Sequence, residues 1–291
     1  MRTHNFGGYK LDEVIGGGMY TKIYKASSSL ARPVYGNTVA IKLLYIKESG
    51  RRERSKLVSQ FEREAEIAIG LNHPNIVKVH NFGKYNRQYA IIMEYVNGGN
   101  LKEMLYKPDK IALNILVRIL YEAGQGLAHI HRNNIVHKDV KPDNILVSKD
   151  LKIVKMTDFG IAKLPGKLLN KDIFPKGGTV TKYGTISYVA PEQVEGRANF
   201  CSDIYSFGIA MDEVITAKTE VPEDTAKNLE DYFRRIDISS YRKNTGRQPV
   251  MCENLGVPAG LKEIIKKATN RACTLRYASM EEMLSDLKNF L

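Results

Sequence analysis

The sequence predicts an α+β chain in two parts: a small lobe built on an antiparallel sheet with one key helix, then a larger, mainly helical lobe. Three observations predict it. Short β-branched and aromatic runs crowd into the first third, the cluster Asn97-Gly98-Gly99 interrupts the chain, and beyond it apolar residues recur at spacings of three and four. With 291 residues, 43% of them hydrophobic and 26% charged, the chain is long enough to bury a sizeable core and too apolar for wholesale disorder.

Taken in order, Tyr9 to Ile15 and Ile23 to Ala26 read as strands flanking a glycine cluster, and Val39 to Ile46 is β-branched and apolar. Leu57, Phe61, Glu64, Ala65, Ala68 and Leu71 share one face of a helix expected from about Lys56 to Leu71. Ile76 to Phe82 and Tyr89 to Tyr95 read as two further strands. Asn97 to Gly99 is the expected hinge between the lobes. Leu113 to Arg132 carries a helical apolar stripe, Ile145 to Val147 and Ile153 to Met156 read as a small hairpin, and Pro165 to Gly184 reads as loop. Ser202 to Thr216 is almost wholly apolar, so a central helix is expected there, and Met280 to Leu291 closes the chain as an amphipathic helix. No internal repeat or low-complexity tract is present.

The net charge of +12 is the unusual feature of the composition. It suits an anionic partner, yet no nucleic-acid motif accompanies it. Residues 1–97 hold 15 Lys+Arg against 8 Asp+Glu, and the stretch Lys47 to Lys56 is the densest part. A solvated loop is the expectation for that stretch, with a regulatory partner as the sharper alternative. A second basic patch, Arg234 to Arg247, mixes cations with aromatics. No run approaches the roughly 18 apolar residues of a membrane helix. Residues 1–10 do not read as a signal peptide, and Cys201, Cys252 and Cys273 are too few and too scattered for a disulfide framework. A cytoplasmic protein with free thiols is the expectation.

Ile15-Gly16-Gly17-Gly18-Met19-Tyr20-Thr21-Lys22-Ile23 lies between two strands, where glycines let backbone N–H groups approach a phosphate. A strand rather than a helix follows it, which excludes a dinucleotide-binding fingerprint. Lys42 sits in the apolar run Val39-Ala40-Ile41-Lys42 and needs an anionic partner, for which Glu64 is the obvious candidate. His137-Lys138-Asp139-Val140-Lys141-Pro142-Asp143-Asn144 offers a base, a cation and a metal ligand from one tight loop. Asp158, in Asp158-Phe159-Gly160, puts a carboxylate at a strand end, suited to a hard cation such as Mg²⁺.

In this order and spacing, and with Ala190-Pro191-Glu192 following, the chain resembles a protein kinase of the eukaryotic-type serine/threonine family, from about Tyr9 to Leu291. The resemblance implies one kinase domain over residues 1–291, with an N-lobe at 9–96, a C-lobe at 97–291 and an activation segment at 158–192. It implies ATP as cosubstrate, Mg²⁺ as metal with Mn²⁺ as a second candidate, and protein Ser/Thr hydroxyls as acceptors. Gly16 to Thr21 would cover the phosphates, with Met19 and Tyr20 at the tip, and Lys42 paired to Glu64 would hold the α- and β-phosphates. Asp139 would accept the substrate proton, Lys141 would stabilise the transferring phosphoryl group, and Asn144 and Asp158 would bind the metal. Met93 matches the gatekeeper and Glu94, Tyr95 and Val96 the adenine-binding hinge, with Ile15, Ile23, Ala40 and Leu146 around the ring. Thr179, Thr181 and Thr185 are the activation-segment candidates. Asp203 would cap the catalytic loop and Glu192 would pair with Arg276, both as structural roles.

Two positions depart from the family pattern. Thr21 stands where a third glycine is usual, and Lys138 where an arginine usually clamps a phosphorylated activation loop, so weak dependence on loop phosphorylation is expected. A pseudokinase scaffold is the alternative from another class, and the intact charged set argues against it. An aminoglycoside-type phosphotransferase would lack the segment Gly184 to Glu192 and the helix at Asp203.

Overall fold

A computed structural model of the 291-residue chain describes residues 5–28, 30–46, 51–85, 87–105, 107, 111–159, 187–218 and 257–291. The amino-terminal part is a six-stranded antiparallel sheet in the order β1-β2-β3-β4-β6-β5, with strands β1 (Asn5–Phe6), β2 (Tyr9–Gly17), β3 (Thr21–Ser28), β4 (Thr38–Leu44), β5 (Val79–Tyr85) and β6 (Gln88–Glu94). Between β4 and β5 runs helix α1 (Arg51–Ile69), which packs on β5. Phe61, Ala65 and Ala68 are its buried residues, at the spacing that an apolar stripe on a 3.6-residue turn requires. Because β4 is sandwiched between apolar clusters on both of its faces, six of its seven residues are buried, Lys42 among them.

Turn Asn97–Gly99 leads into α2 (Leu101–Leu105) and α3 (Leu113–Arg132). A Cβ on Gly98 would lie 2.0 Å from the Val147 carbonyl oxygen, so only glycine permits this close crossing. The ribbon of β7 (Ile145–Val147) and β8 (Val154–Met156) follows, then α4 (Pro191–Val194), α5 (Phe200–Lys218), α6 (Ala259–Ala268) and α7 (Met280–Leu287). Every residue of α5 from Ser202 to Thr216 is buried, with α3 and α6 packed against it. One apolar cluster runs from β4 and α1 through α3, β7 and β8 to α5, α6 and α7. It fastens the sheet to the helices, with about 1.5–3 kcal/mol gained for each large apolar side chain fully buried.

Four sequence expectations need correction. Helix α1 starts at Arg51 rather than near Lys56, so the second half of the basic stretch forms exposed helical turns rather than a loop. Strand β5 begins at Val79; Ile76 makes only an isolated bridge to Met156. The terminal helix ends at Leu287 and tightens into a 3₁₀ turn, and α6 was not anticipated. Cys201 and Cys273 are joined in a disulfide, against the expectation of free thiols. Seventy-two residues separate the two, and spacing alone cannot show that the chain returns to bring their Cα atoms 5.9 Å apart. No helix among the described residues is long and apolar enough to cross a membrane.

Candidate active site

Lys42 is one of the points where the two halves of the molecule meet. Its ammonium lies 2.5 Å from Glu64 Oε1 on α1 and 3.3 Å from Asp158 Oδ1 just beyond β8. Burial pushes the ammonium down, but the Asp158 and Glu64 carboxylates outweigh it and hold the group above the usual lysine range. Burial pushes Glu64 up, and with the Asp158 charge it outweighs the downward pull of Lys42. The predicted Lys42–Glu64 pair is therefore present; loss of one partner from a pair this deeply buried costs about 3–5 kcal/mol. Asp158 adopts φ +66° and keeps its side chain 42% exposed at the cleft, a strained conformation of the kind found at functional sites.

The second cluster is the loop between α3 and β7. Lys141 Nζ donates to both oxygens of Asp139, at 2.9 and 2.7 Å. Asn144 Nδ2 donates to the Asp139 carbonyl at 2.7 Å and to Oδ2 at 3.0 Å. Pro142 fixes the turn that follows, and Asn144 is buried within it. His137 accepts the Asp139 N–H on Nδ1 and so donates from Nε2 to the Thr157 carbonyl, which ties this loop to the strand end bearing Asp158. Asp203, fully buried in the first turn of α5, accepts the N–H groups of His137 and Lys138, each at 2.7 Å, and contacts His131 Nε2 at 2.9 Å. Lys138 itself is buried at φ +70°, and its carbonyl accepts Gln193 Nε2 at 2.8 Å.

Around the cleft, β2 and β3 form a hairpin whose turn spans Gly18 to Tyr20. Gly17 holds φ +150°, and a Cβ there would sit 2.5 Å from the Thr21 carbonyl oxygen, which accepts the Gly18 N–H. Thr21 opens β3, so the unusual β-branched residue falls where strand geometry suits it. Gly16 pairs with Ile23, Ile23 with Lys42 and Ala40 with Met93, so these predicted residues lie on adjoining strands. Met93 and Val96 are buried, Leu146 and Tyr95 half-buried, and Ile15 and Met19 exposed at the cleft edge.

Two oxygen donors, Asn144 Oδ1 and the Asp158 carboxylate, suit Mg²⁺, which takes few protein ligands when phosphates supply the rest. Among the described residues no cluster of three or more His, Cys, Asp or Glu side chains could hold a metal alone. Thr179, Thr181, Thr185, Cys252 and the patch Arg234 to Arg247 lie outside the described residues, as do Lys47 to Gly50.

Sequence reasoning missed three links. The Glu94 carboxylate accepts Lys155 Nζ at 2.9 Å, the Tyr20 hydroxyl reaches Glu53 on α1 at 3.3 Å, and Gln193 holds the Lys138 carbonyl. Their polar residues carry no spacing signal because each joins distant segments. Glu192 and Arg276 do pair, at 2.8 and 3.0 Å, and Ser202 donates to the same carboxylate.

Residues 9–287 match the protein kinase domain. The chain is 33% identical to the serine/threonine-protein kinase PrkC of Bacillus subtilis (strain 168) over 287 residues, covering 97% of this chain and 40% of that protein. It is 31% identical to the serine/threonine-protein kinase PknL of Mycobacterium tuberculosis (strain ATCC 25618 / H37Rv) over 277 residues, covering 95% of this chain and 63% of the relative. It thus spans about two fifths of the length of PrkC. With a sheet lobe packed on a helical lobe and a buried lysine paired across them, and with that match across nearly its whole length, the chain belongs to the protein kinase family.

Proposed function

We propose that the chain transfers the terminal phosphoryl group of ATP to serine and threonine hydroxyls of proteins, its own activation segment included. The observation that carries this reading is the convergence of Lys42, Glu64 and Asp158 on one ammonium, beside a loop in which Lys141 and Asn144 orient Asp139. In that reading Lys42 holds the α- and β-phosphates. Asp139 orients the acceptor hydroxyl, whose oxygen bonds to the γ-phosphorus as its proton passes to the carboxylate. The bond from that phosphorus to the β-phosphate oxygen breaks, and ADP leaves.

Lys141 follows the transferring group as charge develops on its oxygens, which is electrostatic and positioning work rather than covalent chemistry. Asn144 and Asp158 hold the divalent cation, Mg²⁺ with Mn²⁺ as the second candidate, whose contribution when bound is to neutralise phosphate charge. Gly16 to Thr21, Ile23, Ala40, Met93 to Val96 and Leu146 enclose the nucleotide. Residues 9–96 and 97–291 form the two lobes of one domain, and Thr179, Thr181 and Thr185 are candidate autophosphorylation sites. A regulatory partner at Lys47 to Lys56 and a cytoplasmic setting belong to the same reading.

A scaffold without phosphoryl transfer is disfavoured, since all the charged positions are intact. The test uses radiolabelled ATP, Mg²⁺ and a generic basic protein substrate. Wild type should incorporate label, while Asp139→Asn and Lys42→Met should lose it by a hundredfold or more. Equal incorporation by all three proteins refutes the reading.

A further inference from the structure

A cavity of about 370 Å³ opens beside the segment that follows β6, within the size range of small-molecule sites. Its walls include Tyr35, His73, Lys78, His80, Glu94 and Lys155, and of the nucleotide-enclosing residues it shares only Glu94 and Tyr95. Lys78 comes from the sheet lobe and Lys155 from β8, so both halves of the molecule contribute a cation.

The charges of the walls do not balance. Glu94 is the one carboxylate lining the cavity, and it already serves Lys155 at 2.9 Å. The Lys78 ammonium makes no ion pair among the described residues. Thr38, Asn72 and two imidazoles add to the polar wall: His80 stacks on Tyr35 at 4.9 Å, and His73 stacks on His129 of α3 at 4.9 Å while accepting the Asn75 N–H on Nδ1. Burial pushes both rings below the usual histidine range. Lys78 adds to the fall at His80 despite Glu94, and His129, Arg132 and Lys155 add to it at His73.

We propose that this cavity binds a small phosphate monoester, its dianionic head between Lys78 and Lys155 and its body against the Tyr35–His80 stack. A monoester carries nearly two charges at neutral pH and three acceptor oxygens, which answers two ammonium groups with two imidazole donors nearby. Occupancy acts on the nucleotide cleft through Glu94. Its carboxylate accepts Lys155 Nζ and the Lys78 N–H, and its own N–H donates to the Lys78 carbonyl at 2.9 Å. A phosphate that takes Lys155 from Glu94 therefore changes the anchoring of the segment proposed to bind adenine. That coupling rests on the proposed function; the binding itself does not.

The experiment is calorimetric titration of phenyl phosphate into the full chain, alone and saturated with a non-hydrolysable ATP analogue. Saturable one-site binding is expected in both states. Lys78→Ala should weaken it about tenfold, as loss of one charge-assisted contact does. Lys155→Met should weaken it at least as much, and the exposed Lys78 position keeps the test decisive if Lys155→Met fails to fold. The analogue and phenyl phosphate should change each other's affinity by one common factor. Absence of saturable binding, or binding that Lys78→Ala leaves unchanged, overturns the proposal. If the analogue itself does not bind, the nucleotide reading fails while the phenyl phosphate titrations still decide this one.

Discussion

Replacing Asp203 by asparagine tests whether the catalytic loop is shaped from beneath. The wild-type carboxylate, fully buried, accepts two backbone N–H groups at 2.7 Å and contacts His131 at 2.9 Å. In Asp203→Asn one oxygen remains, and the amide NH₂ faces a backbone N–H that then has no acceptor. Hydrogen bonds to a charged group are worth about 1.5–3 kcal/mol, and a buried orphaned donor costs about 1–3 kcal/mol, so a loss of about 3 kcal/mol is expected. Unfolding entropy near 2.1 cal/mol/K per residue over 291 residues is about 0.6 kcal/mol per degree, so Tm should fall by about 5 °C. Activity should fall further than stability. The two amides belong to His137 and Lys138, immediately before Asp139, and a displacement near 1 Å at a reacting group costs about a hundredfold. Thermal melts and phosphoryl-transfer rates, measured well below both transitions, read the two effects separately. A variant that melts within a degree of wild type and retains full activity would show that the loop holds its shape without Asp203.

Two further outcomes follow from contacts in the helical lobe. Burial pushes Glu192 up, but the bonds from Arg276 and Ser202 outweigh it, so its folded value lies below its ordinary one. The stability it contributes is therefore complete above pH about 4.5 and lost as pH falls through the folded value; urea midpoints at descending pH should drop more steeply for wild type than for Glu192→Gln, and parallel curves would refute this. The Cys201–Cys273 bond closes a loop of 72 residues, for which chain entropy gives about 4 kcal/mol. Reduction, or Cys273→Ser, should lower Tm by about 7 °C, and unchanged melts under a phosphine reductant would count against the bond.

Much of the site was legible because its chemistry is local in sequence. Asp139, Lys141 and Asn144 come together on one loop, and the spacing that offered a base, a cation and a metal ligand there is the spacing of that turn. Lys42 was legible for a different reason, since an ammonium in an apolar strand requires a carboxylate, and the stripe on α1 offered Glu64. What stayed hidden depends on long returns of the chain. Cys201 and Cys273, Lys155 and Glu94, and Tyr20 and Glu53 are each brought together by tertiary packing that no period of two or 3.6 encodes. The early start of α1 escaped because Arg51 to Ser55 offer no apolar residue, so helicity there leaves no stripe to read.

The ammonium shared by Glu64 and Asp158 also sets what the cleft will accept. On the proposed function, an incoming phosphate would meet an ammonium already neutralised by two carboxylates, so binding would be an exchange of anion for anion. Like a resin already charged with its counter-ion, the site gains little from a monovalent visitor and favours a ligand with enough charge to draw Asp158 away. On the proposed function, the same three side chains would thus make the cleft discriminate among anions by their charge.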